Sequence, residues 1–371
     1  MQKGIRVLIS TGLCAALLFG ASACGQNTEE KIEVDPGTTG SAATETAIGG
    51  EETIVLESEQ PQSSVLPTVS PDSTPVPVEQ PTEIPATPQP TRAPMEGDIE
   101  PVRFPDHDTG ENADWSYQSD ELRIAITRNE DDEDRLVYYV ADIWIRNVNS
   151  FRMGFGNGKF NSGREEPEDF ATREHAIFAV NGTMNSGLVI HNGEQVKKNV
   201  ENSDIAFRSG VLIIYRDGSV KTINRAKKQT YNYKKENAEH GGIWHALQFG
   251  PILVQNGEIQ SGLKKNERHP RTIFGYVEPG HYIIVTVDGR TKKSIGITEK
   301  EMAELMQSLG CTDAMNMDGG NSAVMMFMGE MINVQSGSGR NVVDLLAFAE
   351  YDADGNAPAL SEISPDRIRK E

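Results

Sequence analysis

The run Thr298-Glu299-Lys300-Glu301-Met302-Ala303-Glu304-Leu305-Met306-Gln307-Ser308-Leu309-Gly310, continued by Ala314-Met315-Asn316-Met317-Asp318-Gly319-Gly320-Asn321-Ser322 and by Ala323-Val324-Met325-Met326-Phe327-Met328, decides the fold. Thr298 is an N-cap, Glu301 is its capping-box partner three residues on, and Gly310 supplies the stop. Met302, Leu305, Met306 and Leu309 fall on one face, so a helix from about Glu299 to Leu309 buries that face as core. Directly after it, Ala314 to Met317 predicts a buried strand, Asp318 to Asn321 a tight glycine turn, and Ala323 to Met328 a returning strand.

Working outward, the same grammar recurs without helices between. Arg271 to Val277 and Tyr282 to Val287 flank the turn Glu278-Pro279-Gly280. Ile252 to Gln255 precedes Asn256-Gly257, and Val211 to Tyr215 and Val220 to Ile223 flank Asp217-Gly218. Leu122 to Thr127 and Leu136 to Ile145 enclose the acids Asp131 to Asp134, which read as a solvated hairpin loop because they lack the spacing and glycine of a calcium loop. Ala176 to Val180 runs into Asn181-Gly182, and Val342 to Ala349 closes the series. Many strands with few helices, not in regular alternation, predict an α+β fold of mixed or mostly antiparallel sheets flanked by a few helices.

The domain so defined is expected over residues 106–355, with 356–371 as a flexible tail. Residues 1–23 read as an export signal: Lys3 and Arg6 precede an apolar run from Val7 to Phe19, and Ala21-Ser22-Ala23 follows. Cys24, with Gly25-Gln26-Asn27 behind it, resembles the lipid-modified cysteine of bacterial lipoproteins, although Ala21 stands where leucine is usual. An ordinary cleaved signal ending at Ala23 is the alternative. Residues 24–105 are rich in Pro, Ser, Thr and Glu and nearly free of aromatic residues, so they read as a disordered tether. Most of the formal net charge of -20 lies there, so acidity says little about the domain's ligand beyond arguing against nucleic acid. Cys311, among apolar neighbours, reads as a buried small hydrophobe.

Four segments place chemically capable groups where a strand gives way to a loop: Asn181-Gly182, His269-Pro270-Arg271-Thr272, Asp288-Gly289-Arg290 and Asp318-Gly319-Gly320-Asn321-Ser322. The paired glycines free the backbone for positive φ and leave their amides open to a ligand oxygen, although a plain hairpin turn accounts for them equally well. Arg271 and Arg290 can each grip two phosphate oxygens, with a surface salt bridge as the simpler alternative.

Taken with Gly250-Pro251-Ile252-Leu253, with the helix entry Gly296-Ile297-Thr298 and with Met315-Asn316-Met317, these segments follow in the order seen in the phosphodiester glycosidase family, which the chain resembles from about Ala176 to Phe348. Asn321 departs from that pattern, where a third glycine is common, and so does Ala323, where serine or threonine is frequent. The resemblance implies hydrolysis of the bond between an anomeric carbon and a phosphate oxygen; no cofactor is expected and no metal ligand is assigned. On that reading Asp318 and Asp288 are the candidate catalytic carboxylates and His269 a candidate donor. Arg271, Arg290, Gly319 and Gly320 stand on the phosphate side with Asn321 and Ser322, and Asn181 is a candidate sugar contact. The expected partners are a phosphate-containing glycan and, through the N-terminal lipid, a membrane. Alternatives are a glycan-binding envelope lipoprotein without catalysis and a metal-dependent phosphodiesterase; His175, His191, His240, His245, His269 and His281 lack ligand-like spacing for the latter. A serine hydrolase built on Ser322 fits less well, because an elbow leads into a helix and Ala323 to Met328 reads as strand.

Overall fold

Alternation along two neighbouring strands sets the layering. In Arg271–Glu278 and His281–Val287, Phe274, Tyr282 and Ile284 face one core while Ile273, Ile283 and Val285 face another, as the two-residue period of a strand requires. The computed structural model describes residues 94–101, 104–105, 108–198, 210–224, 231–351 and 356–370. The export segment, Cys24 and the tether up to residue 93 lie outside the described residues.

Those two strands are central in a nine-stranded sheet ordered Glu258–Ile259, Ile252–Gln255, Asp313–Asn316, Arg271–Glu278, His281–Val287, Leu136–Ile145, Leu122–Asp131, Trp115–Gln118 and Ile368–Lys370. On one face lies the helix Glu299–Ser308, whose Met302, Leu305 and Met306 pack with Leu253, Ile273 and Ala314. Its capping box forms as the sequence predicts, with Thr298 accepting from Glu301 N and Glu301 accepting from Thr298 N. Gly275 lets the helix approach: a Cβ there would stand 2.3 Å from Met306 Cε and 2.5 Å from Cys311 Sγ.

The opposite face carries two five-stranded sheets. One runs Glu330–Met331, Met325–Phe327, Phe178–Asn181, Asp344–Phe348 and Phe151–Phe155; the other Glu194–Lys197, Val189–His191, Ile243–Phe249, Gly210–Tyr215 and Val220–Ile223. Phe151 sits where the layers meet, with ring centroids 4.5 Å from Phe348, 5.4 Å from Tyr282 and 5.8 Å from Phe274. Every strand pair among the described residues is antiparallel, the α+β arrangement expected.

Two expectations about the ends change. Ile99 is buried and its amide donates to Arg146 O at 2.9 Å, so packing begins before residue 106. The tail expected at 356–371 supplies the edge strand Ile368–Lys370, paired with Trp115–Tyr117, and Arg367 lies 3.6 Å from the Glu350 carboxylate. Its short apolar content hides this in the sequence, since the pairing rests on main-chain hydrogen bonds and charge.

Candidate active site

Antiparallel register gathers the four segments. Ile273 pairs with Asn316 and Arg271 with Val287, so the start of one strand and the ends of two others lie together at one end of the large sheet's central strands. Main-chain bonds then lace the loops together: Met317 N donates to Thr272 O, Gly320 N to Pro270 O, and Asp318 N to Gly182 O. The result is an open cleft of about 560 Å³ lined by His269, Arg271, Arg290, Asp318, Gly319, Gly320 and Asn321. Met184 and Phe249 supply an apolar wall.

The two glycines serve different needs. A Cβ at Gly319 would meet Pro270 O at 2.6 Å, whereas Gly320 takes φ 65, the left-handed region. The Gly320 amide is used on Pro270 and is not a phosphate donor; among the described residues the Gly319 amide has no such acceptor. The loop therefore offers one free amide where two were expected.

Four cations, Lys264, Arg271, Arg290 and Arg340, face three carboxylates, Glu267, Glu299 and Asp318. Most are engaged. Lys264 pairs with Glu267 at 2.9 Å, and Arg290 donates to Asn321 Oδ1 at 3.0 Å. Arg340 reaches Asp318 Oδ2 at 3.0 Å and donates to Ser322 Oγ through both Nε and Nη2. Arg271 differs: it is half-buried, and among the described residues no hydrogen bond or ion pair holds its guanidinium. Burial, more than the fields of its neighbours, pulls its pKa below the usual arginine value. An unpaired, partly desolvated cation is costly to keep and is what an anionic ligand would complete. His269 is also held below its ordinary pKa, first by burial and then by Arg271 and Arg290. It stands neutral at physiological pH and can donate one N–H, but not as a cation.

Three sequence assignments move. Asp288 does not line the cleft; it is buried, with Oδ1 accepting from Asn333 Nδ2 at 3.1 Å and Val334 N at 3.0 Å. It thereby anchors the segment Asn333 to Arg340 that brings Arg340 to the cleft. Asn181 is likewise buried and fully used: Nδ2 donates to Asp318 O at 2.7 Å, and Oδ1 accepts from Thr272 Oγ1 at 2.6 Å and Val324 N at 3.1 Å. It clamps the glycine loop and has no group left for a sugar. Ser322 is buried and tied to Arg340, which removes it as a nucleophile. Among the described residues, no three His, Cys, Asp or Glu side chains gather as a metal-binding group.

Arg340 and Asp344 escaped the sequence reading. Arg340 follows Ser336-Gly337-Ser338-Gly339 and precedes the strand Asp344–Phe348, the same arginine-beside-glycine signal that Arg290 shows. The Asp344 carboxylate is fully buried and accepts from the amides of Thr183, Met184 and Asn185, shaping the turn that carries Met184 to the cleft wall. Burial raises its pKa despite those amides.

Two predictions follow from the anchoring residues. Burial lifts the Asp288 carboxyl from an ordinary 3.8 to about 6. Between those values the folded chain holds a proton that the unfolded chain has released, so this group's contribution favours folding most at low pH and is lost as pH rises through about 6. Asp288→Asn should therefore flatten the stability profile between about pH 4 and about pH 6, while much of the turnover remains; urea melts across that window measure it. Asn181→Leu should lower the unfolding free energy by about 3 kcal/mol, because it strands several buried partners at once. A loss below about 1 kcal/mol in denaturant titrations would mean the clamp is dispensable.

Residues 168–349 match the family model described as phosphodiester glycosidase, the family that the motifs of the sequence resemble. It is 31% identical over 201 residues to the SPbeta prophage-derived uncharacterized protein YomE of Bacillus subtilis (strain 168), covering 52% of this chain and 30% of that protein. It is 25% identical over 195 residues to the N-acetylglucosamine-1-phosphodiester alpha-N-acetylglucosaminidase of Bos taurus, covering 52% of this chain and 32% of that one. The chain thus spans about a third of the length of these curated relatives. Among solved structures, the catalytic domain of the zebrafish N-acetylglucosamine-1-phosphodiester alpha-N-acetylglucosaminidase, auto-inhibited by its pro-peptide, is similar with a TM-score of 0.49 and 18% identity over 63% of this chain and 85% of that chain.

Proposed function

We propose that this domain hydrolyses sugar-1-phosphodiester linkages at the anomeric carbon–oxygen bond, acting outside the cell on phosphate-joined envelope or exopolysaccharide glycans from a lipid-anchored tether. The observation that carries the reaction is the shared cleft: the unpaired Arg271 guanidinium and the Asp318 carboxylate line the same space. The envelope setting rests on the export-signal reading, the Cys24 motif and the tether composition.

The chemistry suits that pairing. A phosphate monoester leaving group has a second pKa near ~6, so it departs without a strong general acid. A neutral His269 is then no handicap, since a hydrogen bond to the phosphate is sufficient. Arg271 stabilises the charge that grows on the phosphate, with Arg290 alongside it. The Asp318 carboxylate, whose Oδ1 is not engaged by Arg340, faces the oxocarbenium-like sugar that develops as the bond lengthens.

The test is incubation of the protein with sugar-1-phosphodiesters in labelled water, with and without chelator. Release of a reducing sugar carrying the solvent oxygen, with the phosphate left on the aglycone, supports the reading. Solvent oxygen appearing on phosphate would make the protein a phosphodiesterase of the phosphorus–oxygen bond.

A further inference from the structure

Asn316 ends the strand Asp313–Asn316, is fully buried, and lines the cleft. Its Nδ2 donates to Gly250 O at 2.8 Å and its amide to Pro251 O at 3.1 Å, which fixes which way the carboxamide points. Among the described residues its Oδ1 has no partner. A buried acceptor left unpaired costs about as much as a lost hydrogen bond, and native proteins keep few of them.

A second orphan lies on the neighbouring strand. Arg271 stands two residues before Ile273, the register partner of Asn316, and its Nε is buried without an acceptor. A donor and an acceptor at the same end of two paired strands, both unsatisfied and not bonded to each other, are left for a third party. Its chemistry is dictated by them: anionic oxygens for the guanidinium and an O–H or N–H for the carbonyl.

Resting on the hydrolytic reading above, we infer that Asn316 determines sugar specificity, its Oδ1 accepting a hydrogen bond from a hydroxyl or an N-acylamino group of the sugar whose phosphate Arg271 holds. Sugars lacking that donor leave the oxygen unpaired in the complex and are rejected. Hydrophobic contact alone would discriminate less, since it is sensitive to size more than to a missing hydrogen.

The experiment uses the full chain and a series of sugar-1-phosphodiesters in which each hydroxyl or acylamino group is replaced in turn by hydrogen. One replacement is expected to lower kcat/KM by roughly ten- to a hundredfold, and Asn316→Leu to lose activity on the parent while erasing that difference. A thermal melt checks that the variant folds, and if it does not, the wild-type series decides. Indifference of wild type to every replacement, or an unchanged preference in folded Asn316→Leu, overturns the assignment. Should no substrate be hydrolysed, the same series is run as calorimetric binding of sugar-1-phosphates. Donor-dependent binding that Asn316→Leu removes keeps this inference and sinks the hydrolytic reading alone; absence of binding sinks both.

Discussion

Asp318→Asn is expected to reduce turnover on the order of a thousandfold while leaving the fold intact. The substitution is isosteric and keeps the main-chain bonds that hold the loop, namely Asp318 N to Gly182 O and Asn181 Nδ2 to Asp318 O. What it removes is negative charge beside the position where the sugar becomes cationic. It also weakens the contact to Arg340, so a control is needed. Arg340→Gln loses the ion pair but leaves the carboxylate, and should cost far less than Asp318→Asn. Initial rates with both variants, alongside circular dichroism melts, separate the roles. Near-normal hydrolysis by Asp318→Asn would remove this carboxylate from the chemistry.

The second large effect concerns Arg271, where activity and stability are expected to move in opposite directions. Arg271→Lys should lose roughly ten- to a hundredfold in kcat/KM, since a point charge replaces a planar fork that fits two phosphate oxygens. Arg271→Met should lose more. Yet the native guanidinium is half-buried and, among the described residues, has no hydrogen-bonded partner, with Glu299 and Glu267 acting on it only through their fields; the methionine variant therefore relieves a desolvated cation, and its Tm should rise by roughly 2–4 °C. Stabilisation bought at the cost of activity marks a residue retained for a ligand. A fall in Tm with unchanged kinetics would make Arg271 a structural residue.

Both effects depend on a site whose parts were unequally visible beforehand. The helix was read nearly to its ends, because Thr298, Glu301 and Gly310 act on backbone groups within a turn of themselves. The hairpins at Asp217-Gly218, Asn256-Gly257 and Glu278-Pro279-Gly280 were equally plain, since a turn is chosen by the residues inside it. Strands without such flanking signals, including Phe151–Phe155 and Ile243–Phe249, passed unnoticed. The helix Pro167–Arg173 did too; at seven residues it is too short for periodicity to declare it.

Asp288 and Asp318 illustrate the limit most sharply. Each closes a buried strand region and each precedes glycine, so no local feature separates them. Their fates diverge through distant partners: Asn333 and Val334 enclose Asp288, while Asp318 is left facing the cleft with Arg340 on one oxygen. Asn181 shows the same thing from the other side, a polar residue at a strand end whose every group is claimed by Asp318, Thr272 and Val324.

By itself, then, the sequence determined the α+β class, the capped helix, the turns and the set of glycine loops, because caps, turn residues and side-chain alternation act over a few bonds. Only the tertiary structure decided which polar groups are spent on holding those loops and which, as with Arg271 and Asn316, are left over. That difference is made by antiparallel register between residues far apart in the chain, and burial there turns a missing partner into a demand for a ligand.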